Sequence, residues 1–346
     1  MAKIFASSFE LAAHIEERGH ECRLIACAPD GSPVVAVRAG GSRTPAVFIT
    51  AGSHSTEQAG VTAAVQLIEE LQTEHQVWVV PTRDPMGMNG YCAALDWALG
   101  EATALASRED LEGLLRDRGE VIIDEEDVVV ALINEFAFTT RNLLGRFKEG
   151  DADLLEPLKG RRIFVPAGHE DVAGAAPLER AYTLIVSPQG EVLHVNRFHD
   201  TPWAPAEVRA TRRLLAEVQP GICFDLHESM GIQDRYWLSA RKQVTAELDQ
   251  LEAQIATAVI GRIAEAGTQF MPDDYLPGRF FTASEPGVYW LDATVRGEGL
   301  NLMDYAAREY GIAFGTEMGM FGTFDNRVAQ GMLTVQAAVA AWESHR

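Results

Sequence analysis

Residues 46–81 confine this chain to a small set of folds. Ala46-Val-Phe-Ile-Thr50 is a short apolar run rich in β-branched side chains, closed by Ala51-Gly52-Ser53. Such a run reads as a buried strand. A helical pattern follows from about Ala59 to Leu71, and Gln76-Val-Trp-Val-Val80 is a second apolar strand ended by Pro81. Strand, helix, strand in that order is a parallel crossover, which needs a sheet covered on both faces. The pattern predicts an α/β fold with a mixed, mostly parallel sheet flanked by helices on both faces. In such sheets ligands gather beyond the carboxyl ends of the strands. His54 and Glu57 stand at that address, three residues apart over the start of a helix, so an imidazole and a carboxylate can converge.

The same arrangement returns later in the chain. Gly221–Leu226 is a buried apolar run ending at His227, and Ala313-Phe-Gly-Thr316 is a short one ending at Glu317. Tyr182–Val186 and Glu191–Val195 read as strands around the turn Ser187-Pro-Gln-Gly190, the second ending at Asn196-Arg197. Two imidazoles and one carboxylate (His54, Glu57, His227) make a donor set that holds one Zn2+ and leaves a position for water. Glu317 is the type of group that takes a proton from such a water and returns it to a leaving amine. Arg197 offers a fork for a substrate carboxylate, with Asn196 as a neighbouring donor. Taken singly, each has a plainer reading: a satisfied core histidine, a surface glutamate, an ordinary ion pair. Their joint position at strand ends carries the metal reading.

The remaining chain is less constrained. Cys22–Ala28 and Pro33–Ala39 form a predicted hairpin around Pro29-Asp30-Gly31. Helical periodicity covers about 5–19, 95–119, 206–218, 243–266 and 326–343. Asp124-Glu-Glu-Asp127 reads as a solvated helix start. The organisation expected is one catalytic domain over 1–346, with a small N-terminal hairpin region (about 1–44) and an insertion (about 95–178) that could line or cover a site. A net charge of −21 argues against nucleic acid or an anionic membrane as partner. Four cysteines without a CxxC pair read as reduced and mostly buried. With no basic-then-apolar leader and no run long enough for a span, a cytoplasmic location is expected. There is no G-x-S-x-G and no cysteine set near a histidine, which disfavours a nucleophilic hydrolase. Oligomeric state is not readable from these features.

These residues also carry a family resemblance. Gly52-Ser-His54-Ser-Thr-Glu57 is similar to the G-x-H-x-x-E motif of the M14-type zinc carboxypeptidases, which include succinylglutamate desuccinylase and aspartoacylase relatives. Pro81-Thr-Arg-Asp84-Pro-Met-Gly87 resembles their P-x-x-N-P-x-G segment, with Asp84 in the Asn place. Asn196-Arg197-Phe198 resembles N-R-x-F, Pro220–Glu228 the strand with the third ligand, and Gly315-Thr-Glu317 the segment with the catalytic glutamate; Arg327 stands where related sequences often have an arginine. The resemblance spans roughly 45–90 and 180–340. It implies a zinc carboxypeptidase-like (phosphorylase/hydrolase-like) fold, His54, Glu57 and His227 on zinc, Glu317 as general base and acid, and Asn196 and Arg197 on a substrate carboxylate. It also implies an arginine polarising the scissile carbonyl, for which Arg180 is the candidate and Arg141 the alternative. A substrate-binding tyrosine would be Tyr275, Tyr289 or Tyr305. Where the family often has an acidic residue supporting a ligand histidine, this chain has His194. The expected function is cleavage of an amide or peptide bond next to a carboxylate-bearing residue, on a small peptide or an N-acyl amino acid. An N-acyl-amino-acid deacylase is the alternative; the 29 residues after Glu317 leave no room for the extra β domain of aspartoacylase-type relatives and favour the carboxypeptidase-like branch. A non-catalytic zinc or ligand-binding module is a further alternative, which the presence of Glu317 argues against.

Overall fold

The computed structural model describes residues 2–144, 152–272, 274–278, 281–291 and 299–345. Its main sheet has nine strands, running from one edge as Cys22–Cys27, Pro33–Gly40, His75–Val80, Arg43–Ala51, Pro220–Ser229, Ile312–Gly319, Tyr236–Arg241, Val288–Leu291 and Phe281–Glu285. The four strands from His75–Val80 to Ile312–Gly319 are parallel, and antiparallel neighbours close this block on either side. The crossover predicted over 46–81 is present, with the helix Gln58–Glu70 between its two parallel strands. The central parallel block has apolar layers on both faces, and one further parallel pair, Tyr236–Arg241 with Val288–Leu291, lies nearer the edge.

Alternation along the strands decides which side chain meets which layer. Val47, Ile49 and Ala51 pack with Leu11, Leu67, Val259 and Val339 from helices Ser8–Glu17, Gln58–Glu70, Ala246–Glu265 and Phe324–Ser344. Phe48 packs on the other side with Leu214, Leu215, Leu302 and Met303 of helices Ala206–Val218 and Leu302–Glu309. Burying each large apolar side chain stabilises the fold by about 1.5–3 kcal/mol. Ile222, Phe224 and Leu226, Phe314 and Met318, and Tyr236, Leu238 and Ala240 all join the first layer. The intervening residues of these three strands therefore face the second layer. They include Asp225, His227, Gly315, Glu317, Trp237, Ser239 and Arg241. The strand with His227 runs on to Ser229 and that with Glu317 to Gly319, so both residues lie inside strands rather than just beyond their ends.

Residues 120–194 contribute a second sheet of six strands, ordered Val192–His194, Tyr182–Val186, Arg162–Val165, Phe136–Thr139, Val128–Ile133 and Glu120–Glu125. Asp124-Glu-Glu-Asp127 is not a helix start. It ends one strand and turns into the next, because Val121–Ile123 and the fully buried Val128–Ile133 pair across it. Residues 95–119 hold two helices, Tyr91–Leu99 and Arg108–Arg118, the first stopped by Gly100 in the left-handed region. All four cysteines are free, but only Cys223 is buried and Cys27 is exposed, contrary to the expectation of mostly buried thiols; Cys27 closes an edge strand. No helix of the described residues is long and apolar enough to cross a membrane.

One buried acid makes the fold pH-sensitive. Glu252, on the helix Ala246–Glu265, accepts from the Arg241 amide at 2.6 Å and from the Gln243 side chain. Burial pushes its pKa up to about 8. The folded protein thus keeps a proton that the unfolded chain releases near 4.5, so stability falls as pH rises from about 4.5 to 8. Relative to Glu252→Gln, the wild type is expected to lose about 4 kcal/mol across that window. Denaturation midpoints of both proteins at pH 5 and pH 8 check this, and a pH-independent difference between them refutes it.

Candidate metal centre

Gly52 ends the Arg43–Ala51 strand at φ +58°, where a Cβ would stand 2.8 Å from Thr82 Oγ1. Only glycine makes that left-handed turn without strain, and the turn brings His54 back over the sheet edge. Glu57 occupies the N-cap of the following helix yet makes no capping bond. Its carboxylate faces the two histidines instead. His54 Nδ1 lies 2.6 Å from Glu57 Oε1, and His227 Nδ1 lies 2.8 Å from Glu57 Oε2. One ligand-capable atom from each of the three falls within 4.8 Å of the others. His54 comes from a loop, Glu57 from a helix start and His227 from a strand 170 positions away from Glu57.

The outer ring nitrogens are held as well. His227 Nε2 donates to Asp225 Oδ2 at 2.8 Å, and His54 Nε2 lies 2.9 Å from His194 Nδ1. A ligand histidine is oriented by an acceptor on its outer nitrogen, as Asp225 does for His227, which leaves Nδ1 for a metal. The donor types, their convergence and these outer contacts fit a divalent cation of the zinc class. Asp225 is itself fixed by Thr50 Oγ1 at 2.8 Å, Arg83 Nη2 at 2.5 Å and Asn196 Nδ2 at 3.2 Å. Burial would lower the His227 pKa, but the carboxylates of Asp225 and Glu57 outweigh it and hold the ring well above the ordinary value. Burial would likewise raise Asp225, yet Arg83 and His227 hold it well below the carboxylate range.

Glu317 pairs in register with His227 on the neighbouring parallel strand, about 4.8 Å away at the backbone. Burial pushes its carboxyl well up; His227 opposes that, while Glu57, Asp225 and Glu228 add to it. His54, His194, Arg197, His227 and Glu317 line one cavity of about 250 Å³.

Asn196 and Arg197 sit on a 3-10 turn, Val195–Arg197, after the last strand of the second sheet. Asn196 lines the cavity, but its amide is engaged: Nδ2 donates to Asp225, and Oδ1 accepts from Arg83 Nη1 at 3.0 Å and the Leu302 amide at 3.1 Å. It braces the site. Arg197 Nε donates to His194 Nε2 at 3.1 Å, whereas its buried Nη1 finds no acceptor among the described residues. His194 therefore bridges His54 and Arg197 from the place where the resemblance leads one to expect an acid.

Arg180 is not at the site. It is 2% exposed and donates to the carbonyls of Phe5, Ala6 and Glu179, tying down the N-terminal segment. Arg141 is an exposed residue 4.0 Å from Asp127. No described residue of 95–178 lines the cavity, so the expected role of that region in lining the site is not seen there. Asp84 caps the short helix Pro85–Asn89 and meets Arg162 and Thr183, with burial pushing its pKa to about 6. Arg327 pairs with buried Glu228 at 2.5 Å. Among the tyrosines, Tyr289 donates to Pro272 O and Tyr305 packs on His199 and Tyr310. Tyr275 is the one near Glu317: burial raises its hydroxyl and the Glu317 charge adds to that.

Several participants escaped the sequence reading. Arg83 holds both Asp225 and Asn196; the signal was a lone cation between Pro81, which ends a strand, and Pro85, which opens a helix. Tyr182 stacks on His54 at 5.0 Å between ring centres. Trp237, Ser239 and Arg241 line the cavity from a strand whose alternation, Tyr-Trp-Leu-Ser-Ala-Arg, is visible only once the register is known.

No protein-family model and no curated protein matches this chain. Solved structures do match in fold. Bovine thrombin-activatable fibrinolysis inhibitor, solved in complex with tick carboxypeptidase inhibitor, is 12% identical over 99% of both chains, with a TM-score of 0.52. A metallo-carboxypeptidase from Pseudomonas aeruginosa, in complex with (2-guanidinoethylmercapto)succinic acid, is 12% identical over 97% of this chain and 69% of its own, with a TM-score of 0.52. A metallo-carboxypeptidase from Burkholderia cenocepacia is 10% identical over 97% and 68%, with a TM-score of 0.50. The chain has the mixed α/β fold of metallo-carboxypeptidases.

Proposed function

We propose that this protein is a zinc-dependent hydrolase of metallocarboxypeptidase type, cleaving an amide or peptide bond next to a carboxylate-bearing residue. The observation that carries this reading is the convergence of His54, Glu57 and His227 with Glu317 in register beside His227. When bound, zinc supplies a Lewis acid that polarises the scissile carbonyl and makes water more acidic. Glu317 takes the proton of the attacking water and gives it to the departing nitrogen. Asp225 keeps the proton of His227 on Nε2, so Nδ1 stays turned inward. Arg197 presents Nη1 to the substrate carboxylate, and Arg83 and Asn196 hold the wall behind it.

The test is a panel of short peptides and N-acyl amino acids assayed before and after metal removal. Chelation is expected to abolish turnover and added zinc to restore it. Turnover that survives complete metal removal overturns the reading. Arg197→Ala is expected to weaken kcat/KM by about 10–100-fold through KM, the equivalent of one lost charge-assisted hydrogen bond.

A further inference from the structure

Resting on the hydrolase reading above, the geometry points to an acidic amino acid as the group released: its α-carboxylate on Arg197 and its side-chain carboxylate on Arg241. The strand Tyr236–Arg241 runs antiparallel to Ile312–Gly319, with Trp237 opposite Glu317 and Ser239 opposite Gly315. Alternation puts Trp237, Ser239 and Arg241 on the face that carries His227 and Glu317, and all three line the cavity. The Arg241 backbone lies two steps below Glu317, but its side chain reaches back up the sheet. Its Nη2 lies 3.8 Å from where a Cβ on Gly315 would stand. The guanidinium thus sits at the Gly315 level, one two-residue step or about 6.6 Å along the strand from Glu317. Gly315 has no side chain to block the path between them; a Cβ there would come within 2.7 Å of Ser239 Oγ.

Arg241 is oriented from one side only. Nε donates to Asp304 Oδ1 at 2.6 Å and Nη1 to the Ala240 carbonyl at 3.1 Å. Among the described residues nothing accepts from Nη2. Asp304 therefore fixes the plane of the fork and leaves an Nη donor for a ligand. In the same cavity, buried Arg197 Nη1 and Trp237 Nε1 lack acceptors among the described residues. Unpaired buried donors are unfavourable until an acceptor arrives. The cavity carboxylates do not supply one: Asp225 is engaged by Arg83, Thr50 and His227, and Glu317 serves the reaction. In a chain of net charge −21, two guanidiniums in one cavity do not reflect composition. A cavity of about 250 Å³ suits one amino-acid residue, and a dicarboxylate meets both cations.

The comparison to make is between isosteres. Benzoyl-glycyl-glutamate is expected to be cleaved about 100-fold better in kcat/KM than benzoyl-glycyl-glutamine, because a site built for a carboxylate rejects a neutral analogue. In the double variant Arg241→Gln, Asp304→Asn, which removes both charges together, that ratio is expected to shrink to within about 3-fold. Calorimetry on the wild-type, zinc-loaded protein gives a readout free of turnover and of the variant's folding. L-glutamate is expected to bind about 10-fold tighter than L-glutamine. Hydrolysis at equal rates on the two substrates, or equal binding of the two amino acids, overturns the acidic specificity while leaving the hydrolase reading intact. If nothing on the panel is cleaved, the hydrolase reading fails, and tighter glutamate binding by the wild type that is lost in the double variant still upholds the assignment to Arg241.

Discussion

Glu317→Gln is expected to lower kcat by about 10³-fold or more, within the range for a positioned general acid–base, while leaving metal content unchanged. The reason is geometric. Glu317 is not among the three converging ligands, but it stands beside His227 in register, so the substitution removes proton transfer and no metal ligand. The amide is isosteric and needs no ionisation in a place where burial, with Glu57, Asp225 and Glu228 adding to it, pushes the Glu317 carboxyl up. The variant should therefore melt at or above the wild-type temperature. Steady-state kinetics, elemental analysis and a melting curve on the same preparation check all three outcomes. Unchanged turnover would take Glu317 out of the mechanism.

His227→Ala is expected to lose both metal and turnover. Elemental mass spectrometry should find about one zinc per wild-type chain and less than about a tenth of that in the variant. Two effects add. The substitution deletes one of three donors, and it leaves Asp225 and Glu57 without the cation-capable ring between them. A buried charge stripped of its partner typically costs about 3–5 kcal/mol, so the variant should also melt lower than Glu317→Gln. Metal binding contributes folding free energy, and the wild type should accordingly lose melting temperature on chelation where His227→Ala does not. A wild-type protein prepared without chelator that holds no zinc and takes none up would end the metal reading.

Much of the site was legible because it repeats one local rule. His54, His227 and Glu317 each follow a short apolar run, and such runs become buried strands whose carboxyl ends share one edge. Arg180 and Asn196 mark the limit of that rule. Both lie in or after strands of the second sheet, whose relation to the main sheet no local pattern encodes. Arg180 turns toward Phe5 and Ala6, 175 and 174 positions away. Asn196 is engaged by residues 29, 106 and 113 positions distant. The strands within 120–178 were missed for a related reason: short pairs such as Phe136–Thr139 with Arg162–Val165 gain their stability from partners rather than from their own periodicity.

What the sequence by itself determined is therefore the parallel core and the positions of the three candidate ligands and of the candidate acid–base Glu317, because strand period and turn chemistry act over a few residues. What only the tertiary structure decided is which charges meet: Arg83 on Asp225, His194 between His54 and Arg197, and Arg241 reaching over Gly315 into the cavity. Those contacts depend on strand order and register across the sheet. A shift of a single residue would turn each of these side chains to the opposite face.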